Sequence, residues 1–488
     1  MLSVLVAHSY FLEFDHKQRE RAKPYPPLAT LQVAAILREA GHRVSLFDAM
    51  LATGTSEYSD QLNSVQPQVA LFYEDNFNFL TKMCLGRMRQ AACEMIARAR
   101  LSGARVIVAG SDASDAPEAY LASGAHVVLI GEGLATLRAL IDRLEADPRQ
   151  PTTQLVAGLA GLAAPGVDRN VARAHSGSLP PETRHSARPA WDLVDVDRYR
   201  AVWHQAHGYF SMNMAASRGC SFRCNWCAKP IWGSHYLQRS AADVAAEMTY
   251  LKRTFQPDHI WFADDIFGFR VDWVQAFAEA VHATGGSLPF MIQTRADLVS
   301  RRMARALSDA CCVEVWIGAE SGSQRVLDAM NKGTRVGEIR EAREHLRTEN
   351  IRVGYFIQLG YLDEQLDDIL ATRELIETSQ PDDIGVSVAY PLPGTQFFEI
   401  VKEQLQNKTN WQESDDLEMM FEGTYNSDFY RTVRNLLHEQ VTLQSVDRQL
   451  SSDEQHETAR RGLERQWTRL LSREHEYRLG PQELRGAI

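Results

Sequence analysis

Two successive series of short apolar runs, each run followed by a stretch with helical spacing, constrain this chain more than any single residue. LSVLVAH (2–8) opens the first series, and LATLQVAAILREAGHRV (28–44) follows with Gly41 where a helix would close. SLFDA, QVALFYE (68–74), ARVIVAG (104–110) and AHVVLIGEG (125–133) continue the alternation. Strands alternating with helices over residues 1–145 predict a parallel, doubly wound α/β sheet. Such a sheet binds ligands in the loops at its strand C-termini, here GSDAS (110–114) and GEG (131–133). No G-x-G-x-x-G follows the first strand, which argues against a plain dinucleotide site.

Residues 146–204 are richer in Pro, Gly, Ser and Arg and read as a linker that begins to order at WDLVDVDRY. From about 205 a second series offers six strands: YFSMNMAAS (209–217), HIWFADD (259–265), PFMIQTRA (289–296), CVEVWIGAES (312–321), RVGYFIQLG (352–360) and DIGVSVAYPL (383–392). Six strand–helix repeats over 205–400 predict a (β/α)6 partial barrel with its site at the strand C-terminal ends. Residues 401–488 read as a helical region with a packing or lid role, because amphipathic stretches there carry no visible chemistry.

A chain of 488 residues exceeds one ordinary core, in line with several domains. Its formal charge of −11 argues against a nucleic-acid partner, since phosphate backbones favour clustered Lys and Arg. No apolar run approaches the roughly 20 residues needed to span a bilayer. The N-terminal MLSVLVAHSYFLEFDHK lacks a basic segment and a cleavage site, so it reads as a strand rather than a signal peptide, and a cytoplasmic location is expected.

SRGCSFRCNWCAKP (217–230) places Cys220, Cys224 and Cys227 in C-x3-C-x2-C spacing straight after the first strand of the second series. Cys84, Cys93, Cys311 and Cys312 are bystanders. Thiolates hold zinc or iron–sulfur clusters. One reading is a structural Cys3His zinc site completed by His235; the other is a four-iron cluster whose fourth iron is left open for a ligand.

The triplet on this strand resembles the radical S-adenosylmethionine (radical SAM) superfamily. That resemblance implies a [4Fe-4S] cluster held by Cys220, Cys224 and Cys227, with S-adenosylmethionine chelating the open iron and being cleaved to a 5′-deoxyadenosyl radical. Trp226 resembles the aromatic that shields the cluster. Further resemblances imply S-adenosylmethionine contacts at Arg239 and Glu247 (with Ser240 in the same segment), at Asp264 or Asp265 in WFADD, at Gln293 and Arg295, at Glu320 and Ser321 in GAESGS, and at Gln358 and Tyr390. Asp264 and Asp265 read equally as a helix cap and its neighbour. In LGYLDE the chain departs from the Phe-Pro-Gly-Glu that more often follows that glycine in the family. Tyr355, Phe356 and Tyr361 read as packing rather than recognition.

The order of a Rossmann-like domain followed by this barrel resembles the subgroup with an N-terminal cobalamin (B12)-binding domain. Over 1–145, YPPLATLQVAAILREAGHRV and GAHVVLIGEGLATL carry the likeness, which implies cobalamin near Ser111, Gly131, Glu132 and Gly133, with Asn76 and Phe77 toward the corrin. The D-x-H-x-x-G sequence that supplies an axial histidine elsewhere is absent, and YEDNFNFLTKM (73–83) contains no histidine. The alternative is a domain of this shape with no cofactor. The subgroup implies methylation of an unactivated carbon of a small or natural-product substrate, with an external electron donor such as flavodoxin or ferredoxin. Oxidative cyclisation or ring rearrangement with the same cofactors, and a non-catalytic iron–sulfur or corrinoid carrier, are the competing expectations.

Overall fold

A computed structural model describes residues 1–83, 85–166, 188–227, 235–405, 408–447 and 454–479. Cys84, most of the Pro- and Ser-rich part of the expected linker, the end of the cysteine segment and the last nine residues lie outside the described residues.

Strands β1 (Ser3–Ala7), β2 (Arg43–Phe47), β3 (Val69–Tyr73), β4 (Arg105–Ala109), β5 (Val127–Leu129) and β6 (Leu162–Ala163) form one sheet in the order β2-β1-β3-β4-β5-β6. β1 to β5 are parallel and β6 is antiparallel to β5. Every residue of β1 and β3 is buried, because helices cover both faces; this is why these strands read as unbroken apolar runs. Strand order reverses at β1, so the crevice for a ligand opens at the C-terminal ends of β1 and β3. β6 carries the sheet to Ala163, beyond residue 145, so part of the expected linker is strand.

The second sheet contains β7 (Ser211–Met214), β10 (His259–Phe262), β11 (Phe290–Thr294), β12 (Cys312–Glu320), β13 (Arg352–Leu359) and β14 (Asp383–Val388), all parallel. Its order, β14-β13-β12-β11-β10-β7, leaves β7 and β14 as edges, so the barrel is half closed. A ribbon of β8 (Ser217–Arg218) and β9 (Leu237–Gln238) stands apart. Alternation decides which face does what. Ile260, Phe262, Phe290, Ile292, Val315, Ile317, Val353 and Tyr355 are buried beneath the helices, where Phe262, Phe267 and Phe277 pack ring to ring. Trp261, Met291, Gln293, Trp316, Phe356 and Gly385 face the concave side and line a cavity.

The helix Ser427–Asp447 packs against the edge strand β14. The strand-end edge of the first sheet meets the barrel. Tyr25 leans on Trp203 and Trp261, Asn213 donates to the Pro26 carbonyl, and Lys82 Nζ meets Asp265 Oδ1 at 2.5 Å. Among the described residues no helix is long and apolar enough to cross a membrane.

Candidate active site

The cysteine loop leaves the barrel directly after β7 and is pinned at its base. Ser217 and Arg218 pair with Gln238 and Leu237 across the β8–β9 ribbon. Asp264, at the end of β10 and fully buried, accepts from the Ala216 N–H at 3.0 Å and from the Ser217 hydroxyl. Burial pushes its carboxyl up to about 7. Arg239 donates to the Ala215 carbonyl and, at 2.5 Å, to Glu247, which is itself buried. Asp264 on one side, and Arg239 braced by Glu247 on the other, hold the root of the loop.

At the tip, Cys220 is buried and Cys224 and Cys227 are half-buried, and none of the three is in a disulfide. Arg295, at the end of β11, directs Nη1 to within 3.6 Å of Cys224 Sγ and lies 3.7 Å over the Phe222 ring. Its remaining donors reach Asp297, the Lys332 carbonyl and Thr334. Asn225, between two of the cysteines, is a peg: its N–H and Nδ2 donate to the Met330 and Ala329 carbonyls, and its Oδ1 accepts from Tyr361 at 2.7 Å. Among the described residues no three His, Cys, Asp or Glu side chains converge closely enough to hold one metal ion, and His235 makes no such group with the cysteines. A four-iron cube gives each thiolate its own iron and so suits three thiols that do not meet at a point. Three thiols on one anchored loop, with a guanidinium beside one of them, fit the cluster.

Above the concave wall, Glu320 adopts φ +61, the left-handed region that an L residue enters only under constraint, at an irregularity in the β12–β13 register. This turn brings its carboxylate to Lys332 Nζ at 2.8 Å, with both side chains buried. Gly318 makes room, since a Cβ there would lie 2.7 Å from Nζ and 2.8 Å from the carboxylate. Burial would push the Lys332 ammonium down, but the Glu320 carboxylate, and Cys224 after it, hold it above the ordinary lysine value. Gln293 lines the cavity, and Gln358 lies on the same face of β13 as Phe356, its buried Oε1 without a hydrogen-bond partner. Ser321 faces away, toward Thr372. Asp265 is paired with Lys82, and the Tyr390 hydroxyl lies 3.4 and 3.3 Å from the Met83 and Thr409 carbonyls. Of the residues expected to meet S-adenosylmethionine, Gln293, Glu320 and Gln358 thus face the barrel mouth. Arg239, Glu247, Ser321 and Tyr390 are engaged by protein groups around it.

At the crevice of the first sheet, the Ser111 hydroxyl donates to Asn76 Oδ1 at 3.3 Å, and Phe77 is buried beside it in sequence. Gly131 and Gly133 take positive φ, and a Cβ on Gly133 would lie 2.8 Å from Leu129. Glu132 turns its side chain to Arg218 at 2.5 Å, which couples this loop to the root of the cysteine loop. Two buried polar atoms near these strand ends, His8 Nδ1 and Thr81 Oγ1, have no partner. Left-handed glycine turns at the strand ends and orphaned polar atoms beside them fit a bound corrinoid. Sequence reasoning missed Lys82, Arg218, Asn225 and Lys332; only the placement of Arg218 and Asn225 within the cysteine segment could have drawn attention to them.

Residues 214–376 match the model of the Radical SAM superfamily. That stretch of the chain is a radical SAM domain, and the two sheets together share the fold of solved structures that carry cobalamin and a [4Fe-4S] cluster. Among solved structures, the radical S-adenosylmethionine methyltransferase TsrM of Kitasatospora setae, with cobalamin and [4Fe-4S] cluster bound, superposes with a TM-score of 0.64 at 18% identity, covering 84% of this chain and 79% of that one. An uncharacterized methyltransferase of Pyrococcus horikoshii is 23% identical over 391 residues, 79% of this chain and 81% of that protein. The anaerobic magnesium-protoporphyrin IX monomethyl ester cyclase of Cereibacter sphaeroides is 27% identical over 285 residues, 57% of this chain and 45% of that protein.

Proposed function

We propose that this chain is a cobalamin-dependent radical SAM methyltransferase acting on an unactivated carbon of a small or natural-product molecule. The observation that carries the reading is the cavity shared by the two sheets. Tyr10 and Asp75 come to it from the strand ends of the first sheet, and Gln293 and Trp316 from the concave wall of the second. A substrate lying there is within reach of both halves. When bound, the cluster supplies the electron that cleaves S-adenosylmethionine, and the corrinoid supplies a methyl carrier.

The chain's own residues supply position and dryness. Cys220, Cys224 and Cys227 hold the cluster, while Arg295 places positive charge beside it and Asn225 fixes the loop that carries it. Glu320, Gln293 and Gln358 offer hydrogen-bonding groups at the mouth for S-adenosylmethionine, and Lys332 keeps the Glu320 carboxylate in place. Asn76, Phe77, Ser111, Gly131 and Gly133 form the cradle for the corrinoid. The electron arrives from an external donor such as flavodoxin or ferredoxin.

Anaerobic incubation with S-adenosylmethionine, a reductant and hydroxocobalamin, followed by mass analysis, tests the reading. Formation of S-adenosylhomocysteine together with 5′-deoxyadenosine is expected. 5′-Deoxyadenosine without S-adenosylhomocysteine would overturn methylation in favour of cyclisation or rearrangement. Neither product would leave a carrier.

A further inference from the structure

The concave face of the barrel carries an aromatic wall that the cofactors do not require. Trp316 on β12 and Phe356 on β13 lie ring against ring, centroids 4.8 Å apart at 30°. Two glycines clear the space for them. A Cβ at Gly354 would stand 2.5 Å from the Trp316 ring, and one at Gly385 would stand 3.3 Å from Phe356. Neither glycine has a positive φ, so room for the rings, not backbone freedom, accounts for them. Trp261 on β10 continues the wall, with Tyr25 leaning on it at 4.7 Å.

These residues line the 340 Å³ cavity, a size within the roughly 300–1,000 Å³ of small-molecule sites. Toward the strand N-termini the lining becomes ionic, but Arg352 and Glu314 face each other at 3.4 Å, and Glu314 also accepts from the Trp316 indole at 2.6 Å. Arg21, Lys23 and Asp383 also line the cavity, and the Trp316 and Phe356 rings are its flat aromatic surface.

We propose that the acceptor substrate carries a flat conjugated ring system that lies against Trp316 and Phe356. The inference rests on the reading of the cavity as the place where a small molecule is modified. Aromatic rings pack in offset or edge-to-face contacts at centroid separations of about 4.5–7 Å, so a planar ligand extends the existing stack. A saturated ring system of the same skeleton puckers, so it presents less flat area and makes no aromatic stack with either ring.

The test compares two neutral probes of one skeleton, 2-naphthol and decahydro-2-naphthol, by equilibrium dialysis against the anaerobically reconstituted full chain. At least tenfold tighter binding of 2-naphthol is expected, and both Trp316→Leu and Phe356→Leu should reduce that preference to less than threefold. Gly354→Ala, which drives a methyl into the Trp316 ring, should act in the same direction. Thermal melting identifies any variant that fails to fold, and the remaining ones decide. Equal binding of the two alcohols by the wild type, or an undiminished preference in the folded variants, would overturn the proposal. Cleavage of S-adenosylmethionine by the wild type is measured alongside. Cleavage without ring preference removes the substrate class and leaves the functional reading standing; ring preference without cleavage supports the ring-binding cavity and removes that reading.

Discussion

Arg295 Nη1 stands 3.6 Å from the sulfur of Cys224, while the face of the same guanidinium covers the Phe222 ring. The side chain is buried and fixed by Asp297, Thr334 and the Lys332 carbonyl, which hold its guanidinium beside the Cys224 sulfur.

Hydrogen bonds and positive charge next to cluster sulfurs raise the reduction potential. Arg295→Met is expected to make the cluster harder to reduce, with Arg295→Lys intermediate. Potentiometric titration followed by electron paramagnetic resonance reads this directly. Equal potentials in the three proteins would show that Arg295 serves the loop's shape alone.

Glu320 and Lys332 form a buried pair at 2.8 Å over the bare face of Gly318. Removing one partner of such a pair strands the other charge and costs about 3–5 kcal/mol, whereas replacing both with apolar groups is far less costly. Lys332→Met is therefore expected to lower the thermal midpoint markedly, and Lys332→Met combined with Glu320→Leu to recover most of the loss. Scanning calorimetry of the three proteins checks the order.

Glu364, fully buried, accepts from the Gly360 N–H at 2.6 Å in the loop after β13. Gly360 is left-handed there, and a Cβ on it would meet Met419 at 2.9 Å, so this short loop is shaped by packing instead of by a proline. Burial, with the nearby Asp368 adding to it, pushes the Glu364 carboxyl up to about 8. The folded protein thus holds this proton more tightly than the unfolded chain does. The associated stability is complete below the unfolded value near 4.5 and declines as pH rises through about 8, with a total on the order of a few kcal/mol. Glu364→Gln should unfold at a higher temperature than wild type at pH 9, with the gap narrowing at pH 5. A constant gap would show that another group carries the pH dependence.

Much of the architecture was legible because its signals are local. VALFY and the six later runs announce strands by composition, and C-x3-C-x2-C announces its chemistry by spacing within eight residues. What was hidden depends on partners far along the chain. Arg218 meets Glu132 across 86 positions and Lys82 meets Asp265 across 183, and no periodicity records such pairs. Glu132 was expected near bound cobalamin, and its side chain also ties the two sheets together through Arg218. Phe356 read as packing, and only the vacancies at Gly354 and Gly385 place it on a cavity wall. Tyr361 likewise read as packing, and its hydroxyl turns out to hold the cysteine loop through Asn225.

The most direct test of the account is electron paramagnetic resonance of the anaerobically reconstituted, reduced protein with and without S-adenosylmethionine, in the wild type and in Cys227→Ala. A [4Fe-4S] signal that S-adenosylmethionine shifts in the wild type, together with its loss in the variant, is the predicted result. A wild-type signal that S-adenosylmethionine leaves unchanged, or a variant that retains the full signal and iron content, would contradict it.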